Sequence, residues 1–125
     1  IVRGLAFGAD KDAILDDTQA FLPDALPEIP ELMQYAYFDW PRSQISSSGY
    51  VIHSFQAALW AFYSTDSFEA AVIRAANLGD DADTVAAICG QIAGSHYGYA
   101  AIPQRWLRVL AWHDRLVALG EGILC

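Results

Sequence analysis

The chain has 125 residues, 54% of them hydrophobic, with four Trp, six Tyr and six Phe, which excludes a disordered polymer and allows one domain with a single core. A formal net charge of −8 argues against a binder of nucleic-acid backbones. No apolar run approaches the roughly 18 residues that a membrane helix needs.

The opening "IVRGLAFG" reads as the last turns of a helix already under way, with Gly8 at its C′ position. A chain starting at Ile1 is therefore expected to be a fragment of a larger fold, and without a visible signal peptide its default location is cytoplasmic. Asp10 can cap a helix running to about Leu22, with Ile14 and Phe21 on one face. Pro27 and Pro30 bracket the start of another, carrying Leu32, Met33 and Ala36. "WPRSQISSSG" (Trp40 to Gly49) is the one long polar loop, and such loops in compact domains are often functional.

In "YVIHSFQAALWAFY", Val51, Ile52, Phe55, Ala58, Leu59 and Phe62 fall at helical spacing. "DSFE" (Asp66 to Glu69) has the form of a capping box, and Phe68, Ala71, Val72 and Ala75 follow on one stripe. Gly79 ends that helix. The next starts within "NLGDDADT" and runs to about Tyr97, and a last one or two helices span Pro103 to near Leu124. Sustained period-2 alternation is absent, so the fold class is all-α. Trp60, Trp106 and Trp112 are expected in the core. Cys89 and Cys125 have neither CxxC nor zinc spacing and read as free thiols, Cys89 as a buried, inert one.

Ala82, Ala86, Gly90 and Gly94 fall four apart and line one helix face. Glycine inside a helix costs about 1 kcal/mol relative to alanine, so two of them suggest the close approach of another helix backbone or of a ligand. Simple tight packing explains the stripe equally well.

Asp80, Asp81 and Asp83 crowd the start of this helix beside Thr84. One carboxylate suffices to cap a helix, and three add repulsion that capping does not explain. An EF-hand fails on spacing: with Asp81 first, Ala86 stands where glycine belongs and Ile92 where the bidentate glutamate belongs. A phosphatase-type DxD would follow a buried strand, whereas "AVIRAANLG" has helical periodicity. No Cys or His is interleaved for zinc. A hard cation, Mg²⁺ or Mn²⁺, fits best. Residues i and i+2 of a helix point about 200° apart, so Asp81 must precede the helix if it is to share an ion with Asp83 and Thr84 in the first turn. Water, substrate or chain lying elsewhere must then complete the coordination.

Three segments in order, "SGYVIHSFQAALWAF", "AANLGDDADTVAAICGQIAGSHYG" and "IPQRWL", resemble the C-terminal half of the ADP-ribosylglycohydrolases, the type acting on dinitrogenase reductase included. The resemblance covers Ser48 to Leu107 well and the flanks loosely. It implies a compact multi-helix orthogonal bundle, of which residues 1–125 form the C-terminal part. It also implies a two-metal site with Asp81, Asp83 and Thr84 among its ligands, and an ADP-ribose pocket bordered by Ser48, Gly49 and Tyr50. The implied reaction is metal-dependent hydrolysis of the glycosidic bond between ADP-ribose and a protein side chain, with catalytic groups that this chain does not identify. The partners are ADP-ribose or an ADP-ribosylated protein, together with the missing N-terminal half or a second copy of the chain. A non-catalytic ADP-ribose-binding or interaction module is the alternative.

Two features depart from the family pattern. Asp80 stands where glycine is usual. "LDDTQ" (Leu15 to Gln19) has Leu15 in place of the first threonine of a Thr–Asp–Asp–Thr motif and lies too near the second cluster, so Asp16 and Asp17 read as solvated helix residues. His53 lies close to the expected pocket, but a lone histidine on a half-buried helix is usually a packing residue. His96 and His113 have no partner pattern.

Overall fold

The computed structural model describes Asp10, Lys11 and residues 36–124. The expected helices around Ile14 to Leu22 and Leu32 to Met33, the opening turns, the "LDDTQ" stretch and Cys125 lie outside these residues. Among the described residues the chain is helical without strands. Five α-helices follow one another: α1 (Val51–Tyr63), α2 (Phe68–Ala76), α3 (Ala82–Tyr97), α4 (Gln104–Leu107) and α5 (His113–Leu124). Short 3₁₀ turns lie at Ala36–Asp39 and Arg42–Gln44, ahead of α1, and at Tyr99–Ala101, between α3 and α4. The long polar loop thus holds one 3₁₀ turn and is otherwise irregular.

Helices α1, α2 and α3 pack against one another and carry the core. Six consecutive residues of α1, Ala57 to Phe62, are buried, so this helix is covered on all sides toward its C-terminal end. That end leaves carbonyls without intrahelical partners, and side chains supply them. Ser64 Oγ donates to Trp60 O at 2.5 Å and Thr65 Oγ1 to Ala61 O at 2.8 Å. The Lys11 ammonium donates to Phe62 O at 2.8 Å and Thr65 O at 2.6 Å while lying 4.2 Å from the centre of the Phe62 ring. A cation at a helix C-terminus is also favoured by the dipole.

The start of α2 differs in detail from the expected capping box. Ser67, not Asp66, is the N-cap, and its hydroxyl accepts from Ala70 N at 3.1 Å. Glu69 turns outward instead and pairs with Arg105 just inside α4. Phe68, Ala71 and Ala75 bury the inner stripe of α2.

On α3 the buried residues are Val85, Cys89, Ile92 and Ala93. Burial pushes the Cys89 thiol up to about 12, so it stays protonated and inert. The small stripe lies beside them, half-buried, and faces side chains of α2. A Cβ built at Gly90 would lie 4.0 Å from Val72 Cγ2, and one at Gly94 would lie 3.8 Å from Phe68 Cε2. These are ordinary contacts. The glycines leave a shallow groove that Phe68 and Val72 fill, and neither a backbone nor a ligand is required to explain them.

Trp60 is in the core and Trp106 packs on its edge, but Trp112 is 75% exposed in the turn before α5. Helix α5 has no buried side chain among those described, and the Trp112 ring meets the Arg115 guanidinium, 5.9 Å from its centre, at the surface and not in the core. His113 is not without partners either: its Nε2 meets Tyr99 Oη at 2.5 Å and its Nδ1 meets Asp114 Oδ1 at 2.8 Å. His96 packs edge-on against Phe62 and Tyr97.

Candidate functional site

The acid-rich segment forms the tight connection between α2 and α3. Leu78 anchors it in the core, and the chain then reverses through Gly79 at φ 75° and Asp80 at φ 55°. Both are in the left-handed region, which glycine enters freely and which Asp tolerates better than most residues. The departure at Asp80 therefore sits where the backbone itself explains a preference for glycine, and Asp can take up the same conformation.

Asp81 is the N-cap of α3, so Asp83 and Thr84 fall in its first turn, the arrangement that a shared ion demands. The Asp81 side chain caps no backbone N–H. It accepts instead from Thr84 Oγ1 at 3.0 Å. Helix capping is thus not what occupies this carboxylate. Asp83 is exposed at the surface. Among the described residues no three His, Cys, Asp or Glu side chains gather closely enough to hold an ion, so the triple acid run of the sequence is not a triple carboxylate cluster in space. What remains is a pair of carboxylates and a hydroxyl. These are hard oxygen donors, suited in kind to Mg²⁺ or Mn²⁺ and too few to fill an octahedron alone.

The Ser–Gly–Tyr loop lies directly against this corner, some thirty residues earlier in the chain. Asp81 N donates to Ser47 O at 3.1 Å, and Ser47 Oγ donates to Gly79 O at 3.0 Å. The Arg42 guanidinium adds a third tie, to Leu78 O. Gly49 sits so close that a Cβ there would lie 3.3 Å from Asp81 Oδ2, tighter than most side-chain contacts. Gly49 and the Asp81 carboxylate therefore share one surface. Tyr50, the N-cap of α1, is 50% exposed beside them. Ser48 is half-buried, its carbonyl accepting from Ser54 Oγ at 2.9 Å.

The fold thus brings together Ser48, Gly49, Tyr50, Asp81 and Thr84, with Asp83 in the same helical turn. Reasoning from sequence passed over Ser47 and Arg42, which clamp the two loops together. Both lie in the polar loop, and nothing in a linear pattern distinguishes the clamping serine from its two neighbours. His53 was also set aside, although its ring contacts the loop.

An all-helical domain with an oxygen-rich corner beside a Ser–Gly–Tyr loop defines a narrow class. The family profile described as ADP-ribosylglycohydrolase matches residues 1–124, and the chain belongs to that family. It is 48% identical over 108 residues to the ADP-ribosylarginine hydrolase Tri1 of Serratia proteamaculans, covering 84% of this chain and 30% of that protein. Against the ADP-ribosyl-[dinitrogen reductase] glycohydrolase of Rhodospirillum rubrum it is 36% identical over 77 residues, covering 62% of this chain and 26% of the relative. A solved ADP-ribosylglycohydrolase-related protein complex superposes with a TM-score of 0.83 at 38% identity, covering 94% of this chain and 41% of the other. The chain therefore spans 26–30% of the length of these two curated relatives. Among the described residues no helix is long and apolar enough to cross a membrane.

Proposed function

We propose that the protein containing this chain hydrolyses the glycosidic bond linking ADP-ribose to a modified protein side chain, releasing ADP-ribose. The observation that carries this reading is the seam between the two loops: Asp81, whose side chain caps no backbone N–H, held against Gly49 and beside the half-exposed Tyr50. Asp81, Asp83 and Thr84 would hold Mg²⁺ or Mn²⁺, with the remaining ligands drawn from water, substrate, another part of the complete domain or a second copy of the chain. Bound there, the ion would act as a Lewis acid and orient the reacting groups. The chain's own residues do the rest of the recognition. Tyr50 offers a face for a base or ribose, Ser48 a hydroxyl, and Gly49 a surface without a side chain, so that ligand and carboxylate can approach each other. Two of the relatives are named for ADP-ribosylated arginine and for ADP-ribosylated dinitrogen reductase, which supports a protein-linked ADP-ribose as the substrate class.

The test is an assay of the full-length protein on ADP-ribosylated arginine peptides, with chelator and with added Mg²⁺ or Mn²⁺. Metal-dependent release of ADP-ribose is expected. Tight binding of ADP-ribose without turnover would instead identify a non-catalytic module that keeps the fold alone.

A further inference from the structure

His53 occupies the first turn of α1, facing back over the loop that precedes it. Its Nδ1 shares a 2.8 Å hydrogen bond with Ser48 Oγ and lies 3.4 Å from Ser46 Oγ. Its ring meets the Tyr50 ring edge to face, with centroids 5.2 Å apart. One half-buried side chain thus touches both Ser48 and Tyr50, the two side chains assigned above to the ADP-ribose pocket.

The backbone of the loop does not depend on this contact. Ser54 Oγ already reaches both Ser48 O, at 2.9 Å, and Tyr50 O, at 3.3 Å, while Ser47 ties the loop to the acid corner. What His53 adds is orientation of side chains. A serine hydroxyl rotates freely, and an exposed tyrosine samples several rotamers. Ordering both at the moment of binding costs affinity, and ordering them beforehand removes that cost. With one hydrogen-bonding position taken by Nδ1, the Ser48 hydroxyl keeps the others for a ligand. The edge contact holds the Tyr50 ring by a geometry that aromatic pairs favour.

We propose that His53 is a positioning residue for ADP-ribose recognition, acting through Nδ1 on Ser48 and through its ring contact on Tyr50. The proposal rests on the ADP-ribose reading given above. It concerns ligand affinity and leaves the metal corner untouched, because no contact of His53 reaches Asp81 or Thr84.

The test is calorimetric titration of ADP-ribose into the full-length protein and its His53→Ala, His53→Asn and His53→Gln variants. Asparagine sets a polar atom near the place of Nδ1, whereas glutamine sets its amide near Nε2 and leaves the Nδ1 place empty. His53→Ala and His53→Gln should bind roughly tenfold more weakly, the scale of a lost hydrogen bond and ring contact together. His53→Asn should recover the part carried by the hydrogen bond to Ser48 and not the part carried by the ring contact. It should therefore bind more tightly than the other two variants and more weakly than wild type, and Mg²⁺ affinity should be the same in all four. Equal ADP-ribose affinity for wild type and His53→Ala would overturn the proposal. So would rescue by glutamine and not by asparagine, which would make Nε2 a direct ligand group. If the alanine variant fails to fold, the asparagine and glutamine pair still decides. A wild type that does not bind ADP-ribose would instead remove the reading on which the proposal stands.

Discussion

The two ends of α3 are built from different residues and do different things. At its N-terminus Asp83 and Thr84 are exposed, and Asp81, which accepts from the Thr84 hydroxyl, is held against a loop from elsewhere in the chain. Toward its C-terminus Gly90 and Gly94 give up side chains so that Val72 and Phe68 of α2 can settle against the helix. One end is organised by hydrogen bonds across a polar seam and the other by van der Waals contact. The difference teaches that a run of small residues and a run of acids, adjacent in sequence, belong to separate physical settings: one packs the helix against α2, and the other keeps polar groups at its loop end.

That separation can be broken by substitution. The largest effect is expected at the polar end. Asp81→Ala or Asp83→Ala in the full-length protein should lower hydrolysis by on the order of a hundredfold or more, given the several kcal/mol a catalytic ion supplies. Metal dependence should disappear with it while the melting temperature barely moves. Unchanged Mg²⁺ and Mn²⁺ affinity by calorimetry in both variants would take these residues out of the site. At the packed end, Gly90→Leu or Gly94→Leu should destabilise by about 1–3 kcal/mol, because the added volume meets Val72 or Phe68. Chemical denaturation measures this, and stability equal to wild type would place the stripe in solvent.

Smaller effects sharpen the comparison. Tyr50→Ala should weaken ADP-ribose binding about tenfold, since stacking on an aromatic face is worth about 1–3 kcal/mol in nucleic-acid systems. Metal affinity should not follow. A parallel loss of both would mean that the loop and the acid corner form one unit and not two. Gly94→Ala is expected to have the least effect and the opposite sign, a stabilisation of about 0.5–1 kcal/mol, as a methyl group fits 3.8 Å from Phe68 Cε2 and alanine is the better helix former. Denaturation midpoints decide it, and a loss of stability would mean that α2 and α3 are closer than the geometry indicates.

Much of this was legible in the chain itself. Apolar spacing located α1, α2 and α3, because the positions that bury on a helix recur with its own period. The start of α3 at the acid run followed from Gly79 and the aspartates, and the helix ends at Tyr97, as expected from the sequence. The motif order in "SGYVIHSFQAALWAF" and "NLGDDADT" was sufficient to reach the family that the profile then matched. Local errors had local causes. The cap of α2 fell to Ser67 because a one-residue shift decides which side chain meets the free N–H of Ala70. Trp112 was assigned to the core on residue type alone, and residue type does not say whether a partner surface is within reach.

The sequence by itself determined the helices, the family and the residue types able to hold a hard cation, since each depends on spacing along one chain. Only the tertiary structure decided which atoms meet. That Asp81 N reaches Ser47 O and that Gly49 lies against the Asp81 carboxylate are consequences of how α1 and α3 cross and where their loops then fall. The contacts of His53 with Ser48 and Tyr50 depend instead on how the loop folds back over the first turn of α1. Helical period fixes a face, but the meeting of two loops some thirty residues apart depends on packing angles that no single segment encodes.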